Sequence, residues 1–173
     1  MIKILWSPKE GFEALGNRWW LPFLVVLAAA LLGVGLRVWG SYEFMVQAAM
    51  ERLKNVPPEQ VEAARKFMSL PFMLVSSLIS AGVVFTIGVF VQALVFNLLL
   101  PLLGGEPSFP RTLSAVSGSK LTIGVGALLS GLLSLVIHQP ARFDLGALFP
   151  ADSKLNHALG SVEVFSLWSL VLL

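Results

Sequence analysis

Three polar side chains stand where a polar group is costly. Gln92 and Asn97 lie in a stretch without a charged residue from Phe67 to Gly105, and Lys120 heads another apolar run. An amide surrounded by hydrocarbon must find a hydrogen-bond partner, so Gln92 and Asn97 read first as interhelical partners and second as the lining of a substrate path. Lys120 reads as a snorkelling lysine, its stem in apolar surroundings and its ammonium at the headgroups. A second group is Gly118, Thr122, Gly126, Ser130 and Ser134, small residues at successive i+4 positions, with Gly124, Ala127 and Gly131 beside them. Helices in a bilayer gain from close backbone approach, which small residues permit, so this stripe is expected to pack against a neighbour. A hinge or a lined pathway is the alternative use.

The remaining chemistry is sparse. There are no cysteines, which excludes disulfides, thiolate metal sites and thiol nucleophiles. His138 and His157 lack ligand spacing to each other or to a carboxylate, so no metal site is expected. Gly33-x-Gly35 falls inside an apolar helix rather than after a strand, which rules it out as a nucleotide loop. No serine sits in a nucleophile-elbow context. No enzyme activity and no cofactor are therefore expected. The twelve Lys and Arg are scattered and the formal net charge is only +2, so nucleic acid is not an expected partner either.

The elements that carry these residues follow from hydropathy. Of 173 residues, 56% are apolar and 13% charged, and the mean hydropathy is +0.82. A soluble surface needs nearer a quarter charged residues, so much of this one must face lipid. The expected fold class is an all-α integral membrane protein, a polytopic helical bundle forming a single membrane domain over residues 1–173. Residues 1–18 form an N-terminal interfacial helix, opened by Ser7-Pro8-Lys9-Glu10 and carrying Phe12, Leu15 and Trp19 on one face. A first span covers 19–39, bracketed by Arg18-Trp19-Trp20 and Arg37-Trp39. Residues 41–69 form an extramembrane helical hairpin, one arm running from Tyr42 to Lys54 and the second restarting after Pro57-Pro58. A second span covers 70–102, between Pro71 and Pro101. Its small and polar residues form two opposed stripes, Ser77, Ala81, Gly88 and Gln92 against Gly82, Thr86, Ala93 and Asn97, which predict packing on both sides. A third span covers 110–138, a polar loop 139–160, and the start of a fourth span 161–173. Twelve apolar residues from Val162 are too few to cross a bilayer, so the fourth span is expected to continue beyond this chain. The scatter of Lys and Arg leaves the orientation open.

The order of these elements resembles the bacterial branch of the Yip-one (Ypt-interacting protein) domain family. The resemblance rests on Ser7-Pro8-Lys9-Glu10-Gly11-Phe12 before Trp19-Trp20-Leu21-Pro22, on Pro58-Glu59-Gln60-Val61-Glu62-Ala63-Ala64, and on Ser108-Phe109-Pro110-Arg111-Thr112-Leu113-Ser114-Ala115-Val116. It continues through Phe143-Asp144-Leu145-Gly146-Ala147-Leu148 to Val162-Glu163-Val164-Phe165-Ser166-Leu167-Trp168. Members typically have five spans, which implies that part of the fourth and all of the fifth lie outside this chain. Glu163 stands where an aspartate is usual, and the family's common proline in the third helix has no counterpart after Ser119-Lys120. Eukaryotic relatives work in vesicle trafficking with Rab-type GTPases, but their signature motifs are not evident here and that partner is not carried over. The expected function is a non-enzymatic membrane component of the bacterial cytoplasmic membrane. Its partners are the lipid bilayer and either other membrane proteins or itself, and it acts by helix packing. The alternative is a small permease or an accessory subunit of a transport or efflux system.

Overall fold

A computed structural model describes residues 10, 18, 20–54, 56–141, 143, 164, 167 and 169. Every element among them is helical: α1 Trp20–Arg52, α2 Pro58–Phe67, α3 Leu70–Leu99 with a 3-10 turn at Leu100–Leu103, α4 Phe109–Ser119 and α5 Leu121–Ile137. Among the described residues three segments are long and apolar enough to cross a membrane: Trp20–Gly40, Leu70–Leu103 and Phe109–Ile137. The expected interfacial helix over 1–18, most of the loop 139–160 and most of the fourth span lie outside the described residues.

Helix ends follow local chemistry. Pro58 opens α2 and Pro71 opens α3, positions where a missing N–H costs nothing. The far end of α3 tightens into the 3-10 turn and stops at Gly104, whose φ of 76° is left-handed. Gly104 and Gly105 donate their N–H groups to the carbonyls of Pro101 and Leu100, satisfying acceptors that the helix leaves open.

Two expected boundaries differ. Helix α1 does not end with the first span; it runs unbroken through Gly40 and Ser41 to Arg52. The first arm of the hairpin is thus a continuation of the span. No proline interrupts the backbone there, and Ser41 returns its hydroxyl to the Arg37 carbonyl at 2.6 Å. The base of the hairpin is tied by Tyr42, whose hydroxyl donates to the Met68 carbonyl at 3.0 Å. Conversely, the third span loosens at Lys120, where ψ is −4° and α4 passes into α5, while the i−4 bonds from Lys120 to Val116 and from Gly124 to Lys120 continue across the junction. The loosening needs no proline. Ser119 and Thr122 give their hydroxyls to the carbonyls of Val116 and Ser119, three residues back, at 2.9 and 3.2 Å. Such bonds compete with the i−4 ladder and bend a helix.

The core lies where α1, α3 and α4 meet: Phe23, Val89, Ala93, Leu113 and Val116 are buried together, with Phe85, Phe90 and Phe109 packed around them. Phe23 meets Phe85 at 5.9 Å and Phe90 edge-on at 6.2 Å, geometries that favour the aromatic quadrupole. Helix α4 is buried on nearly every side, and the hydroxyls of Ser114 and Ser117 have no hydrogen-bond partner among the described residues.

Candidate functional site

The contact made with the least clearance joins α1 to α5. A methyl added to Gly33 would strike the Ala127 carbonyl group, and one added to Gly40 would lie 2.6 Å from the backbone of Ser134 and Leu135. From the other side, Gly131 faces the backbone of Gly33, and Gly124 faces Val26 and Ala29. These two helices touch backbone to backbone. Residue numbers rise together along the seam, so α1 and α5 run parallel. Against α3 they fall, Leu31 meeting Gly82 and Gly35 meeting Leu78, so α3 runs antiparallel to α1.

That register places the polar residues singled out from the sequence. Gln92 lies two residues beyond Phe90, which touches Phe23, and so sits level with the first turn of α1. Lys120 lies one turn before Gly124, which faces Val26, and reaches the same level. Asn97 lies further out still. Its Oδ1 accepts the Thr112 hydroxyl of α4 at 3.3 Å, and that hydroxyl also reaches the Ser108 carbonyl. All three therefore gather at the Trp20 end of the first span, and none lies at its middle.

The small-residue stripe divides. Gly118, Thr122, Gly126 and Ser134 are buried, and Ser130 is partly buried. The closest approaches to α1 are made by Ala127 and Gly131 beside the stripe and by the backbone of Ser134 within it. Ser130 and Ser134 bind the chain that follows α5. Ser130 donates its hydroxyl to the Ala141 carbonyl at 2.9 Å, while Ser134 accepts the Ala141 N–H at 2.9 Å and donates to the Ser130 carbonyl at 2.8 Å. The backbone doubles back at His138, which adopts a left-handed φ of 54°. Non-helical backbone beside a membrane helix needs its polar groups paired, and these two serines pair both groups of Ala141.

The expected two-sided packing of α3 is not what the described residues show. The side carrying Gly82, Thr86, Val89 and Ala93 faces the bundle, with Val89 and Ala93 buried, but Gly88 has nothing within 4 Å. Val75, Ile79, Val83, Val84 and Ile87 are exposed around it. At the opposite membrane level, a cleft of about 600 Å³ opens between α1, the start of α3 and the end of α5. Trp39, Tyr42, Glu43, Gln47, His138 and Gln139 contribute its polar and aromatic wall, and Leu70, Leu135 and Ile137 its apolar one. Among the described residues no cluster of His, Asp and Glu could hold a metal ion.

The Yip1 domain model matches residues 2–173 of this chain, nearly its whole length. The chain belongs to the Yip1 domain family. It is also 24% identical over 180 residues to membrane protein YknW of Bacillus subtilis, an alignment covering all of this chain and 74% of that protein. No solved structure matches it. In this Yip1-domain chain three features escaped the reading of the sequence. Gly33, considered only as part of Gly33-x-Gly35, and Gly40 carry no polar mark of a packing role, although their spacing of one heptad from each other and from Val26 was visible. The loosening at Lys120 carried no proline. The cleft unites residues from three separate segments, which no local pattern displays.

Proposed function

We propose that this Yip1-domain membrane protein is a non-catalytic component of the bacterial cytoplasmic membrane that works through helix packing, binding other membrane proteins or further copies of itself. The observation that carries this reading is the asymmetry of α3. Its inner face is committed to Phe23, Leu31 and α4, while its outer face offers Gly88 in open space, flanked by exposed Ser76, Ser80 and Ile87. A flat apolar face with small residues at helical spacing suits a neighbouring helix. The permease reading has less support. Asn97 accepts a hydrogen bond from α4, and Gln92 and Lys120 lie level with one end of the first span instead of lining a path through it.

The test is cross-linking from native membranes with a photoreactive residue at Gly88, followed by mass spectrometry, with Leu135 on the α5 side as the comparison position. Recovery of a stoichiometric membrane protein, or of a second copy, through position 88 supports the reading. Recovery of lipid alone from both positions would sink it, and substrate flux in proteoliposomes would move the choice to the permease.

A further inference from the structure

The cleft between α1, α3 and α5 serves neither the packing seam nor the exposed face of α3, and its chemistry is specific. It lies beside Trp39 and Gly40, where the first span Trp20–Gly40 ends, and thus at headgroup depth. Trp39 is 63% exposed and Phe44 41%, and both line the cleft, aromatic rings near the level where such rings favour the interface. Glu43 contributes the one formal charge on the described wall. None of Glu43, Gln47, His138 and Gln139 has a side-chain hydrogen bond or ion pair among the described residues, so each has capacity to spare.

Two helix ends add to this polarity in opposite senses. Helix α5 ends at Ile137 on the cleft wall, and its last carbonyls bring the negative end of its dipole beside the Glu43 side of the site. Helix α3 begins at Leu70, also on the wall, and Ser69 does not cap it, because its hydroxyl goes back to the Lys66 carbonyl. Pro71 has no N–H and Met73 donates to the Ser69 carbonyl, so the first-turn donors of this positive helix end are the N–H groups of Leu70 and Phe72, and Leu70 lies on the cleft wall. One cleft thus brings together a carboxylate, aromatic rings and one helix end of each sign. Leu70, Leu135 and Ile137 continue it downward as an apolar wall toward the hydrocarbon.

We infer that this cleft is a binding site for the headgroup of a zwitterionic phospholipid. The ammonium lies toward Glu43 and the end of α5, where Trp39 and Tyr42 offer ring faces. The phosphate lies toward the first turn of α3, and an acyl chain follows Leu135 and Ile137. A purely anionic lipid satisfies only the α3 side and meets Glu43 as a like charge. The inference is independent of the partner-binding reading, since it uses no residue of the outer face of α3.

Native mass spectrometry of the full chain, in micelles with equimolar phosphatidylethanolamine and phosphatidylglycerol, tests the site. The wild-type protein is expected to retain the zwitterionic lipid over the anionic one by about fivefold, the scale of one exposed charge pair. Glu43→Gln is expected to bring that ratio near one, while Glu51→Gln, on the same helix but off the cleft wall, leaves it unchanged. Trp39→Leu, at an exposed ring, is the second variant and is expected to halve the preference; unchanged circular dichroism shows that each variant is folded. Equal retention by wild type, or a preference that survives Glu43→Gln in folded protein, overturns the site. Millimolar phosphoethanolamine is expected to leave the bound lipid in place, whereas its full displacement would overturn the assignment to a lipid.

Discussion

Helix α1 meets two neighbours by opposite means. Toward α5 it presents Gly33 and Gly40, and backbone lies against backbone with no room for one methyl group. Toward α3 it presents Phe23, and the gap is filled by rings from Phe85 and Phe90 at about 6 Å between centroids. In lipid neither contact gains from expelling water, so both depend on dispersion and shape. The glycine seam obtains its contacts from proximity and fixes register and crossing together. Large side chains can adjust rotamers, whereas a backbone carbonyl facing a glycine cannot move without its helix. The seam is therefore the rigid element of this bundle and α3 the adaptable one.

Substitutions can break that contrast. Gly33→Val drives a branched side chain into the Ala127 carbonyl and is expected to cost about 3 kcal/mol or more, read as a lowered midpoint of unfolding in mixed micelles. Ser134→Ala leaves the buried Ala141 N–H without its acceptor and is expected to cost about 1–2 kcal/mol, seen by the same assay and by faster proteolysis just after α5. Asn97→Leu removes the acceptor for Thr112 and should cost only about 0.6 kcal/mol, the usual scale of an interhelical hydrogen bond in membranes. Smallest of all, Gly88→Ala has open space for its methyl and should be neutral or gain up to about 1 kcal/mol from helix propensity. If Gly88→Ala proved as damaging as Gly33→Val, the outer face of α3 would be a packed surface and the contrast would collapse.

Much of the fold was legible because lipid imposes plain rules. The spans beginning at Trp20 and Leu70 follow from runs without charge, and Pro71, Pro101 and Gly104 mark the ends of α3 by backbone chemistry alone. Less legible was which small residues do the packing. The i+4 stripe through Gly126 is conspicuous because hydroxyls punctuate it, yet Ser130 and Ser134 turn those hydroxyls to Ala141. Gly33 and Gly40 lack any such polar flag, and their partners lie in a segment far along the chain. The loosening at Lys120 was hidden for a related reason. A serine or threonine can leave a helix straight or bend it, according to which carbonyl its hydroxyl chooses. The likeness to the Yip-one family, by contrast, was readable across the chain, because the order of degenerate motifs holds information that none of them has singly.

The parallel seam between α1 and α5 also has a consequence in time. Gly33 faces Gly131, and during synthesis roughly a hundred residues separate the two, or about 5–20 s of elongation at about 5–20 residues per second. For that interval the first span has only α3 for company, and its glycine face must wait uncovered in the bilayer or against the insertion machinery. Biogenesis of this protein thus includes an obligatory pause with its most exacting surface vacant, and any factor that shelters nascent spans would find its substrate there.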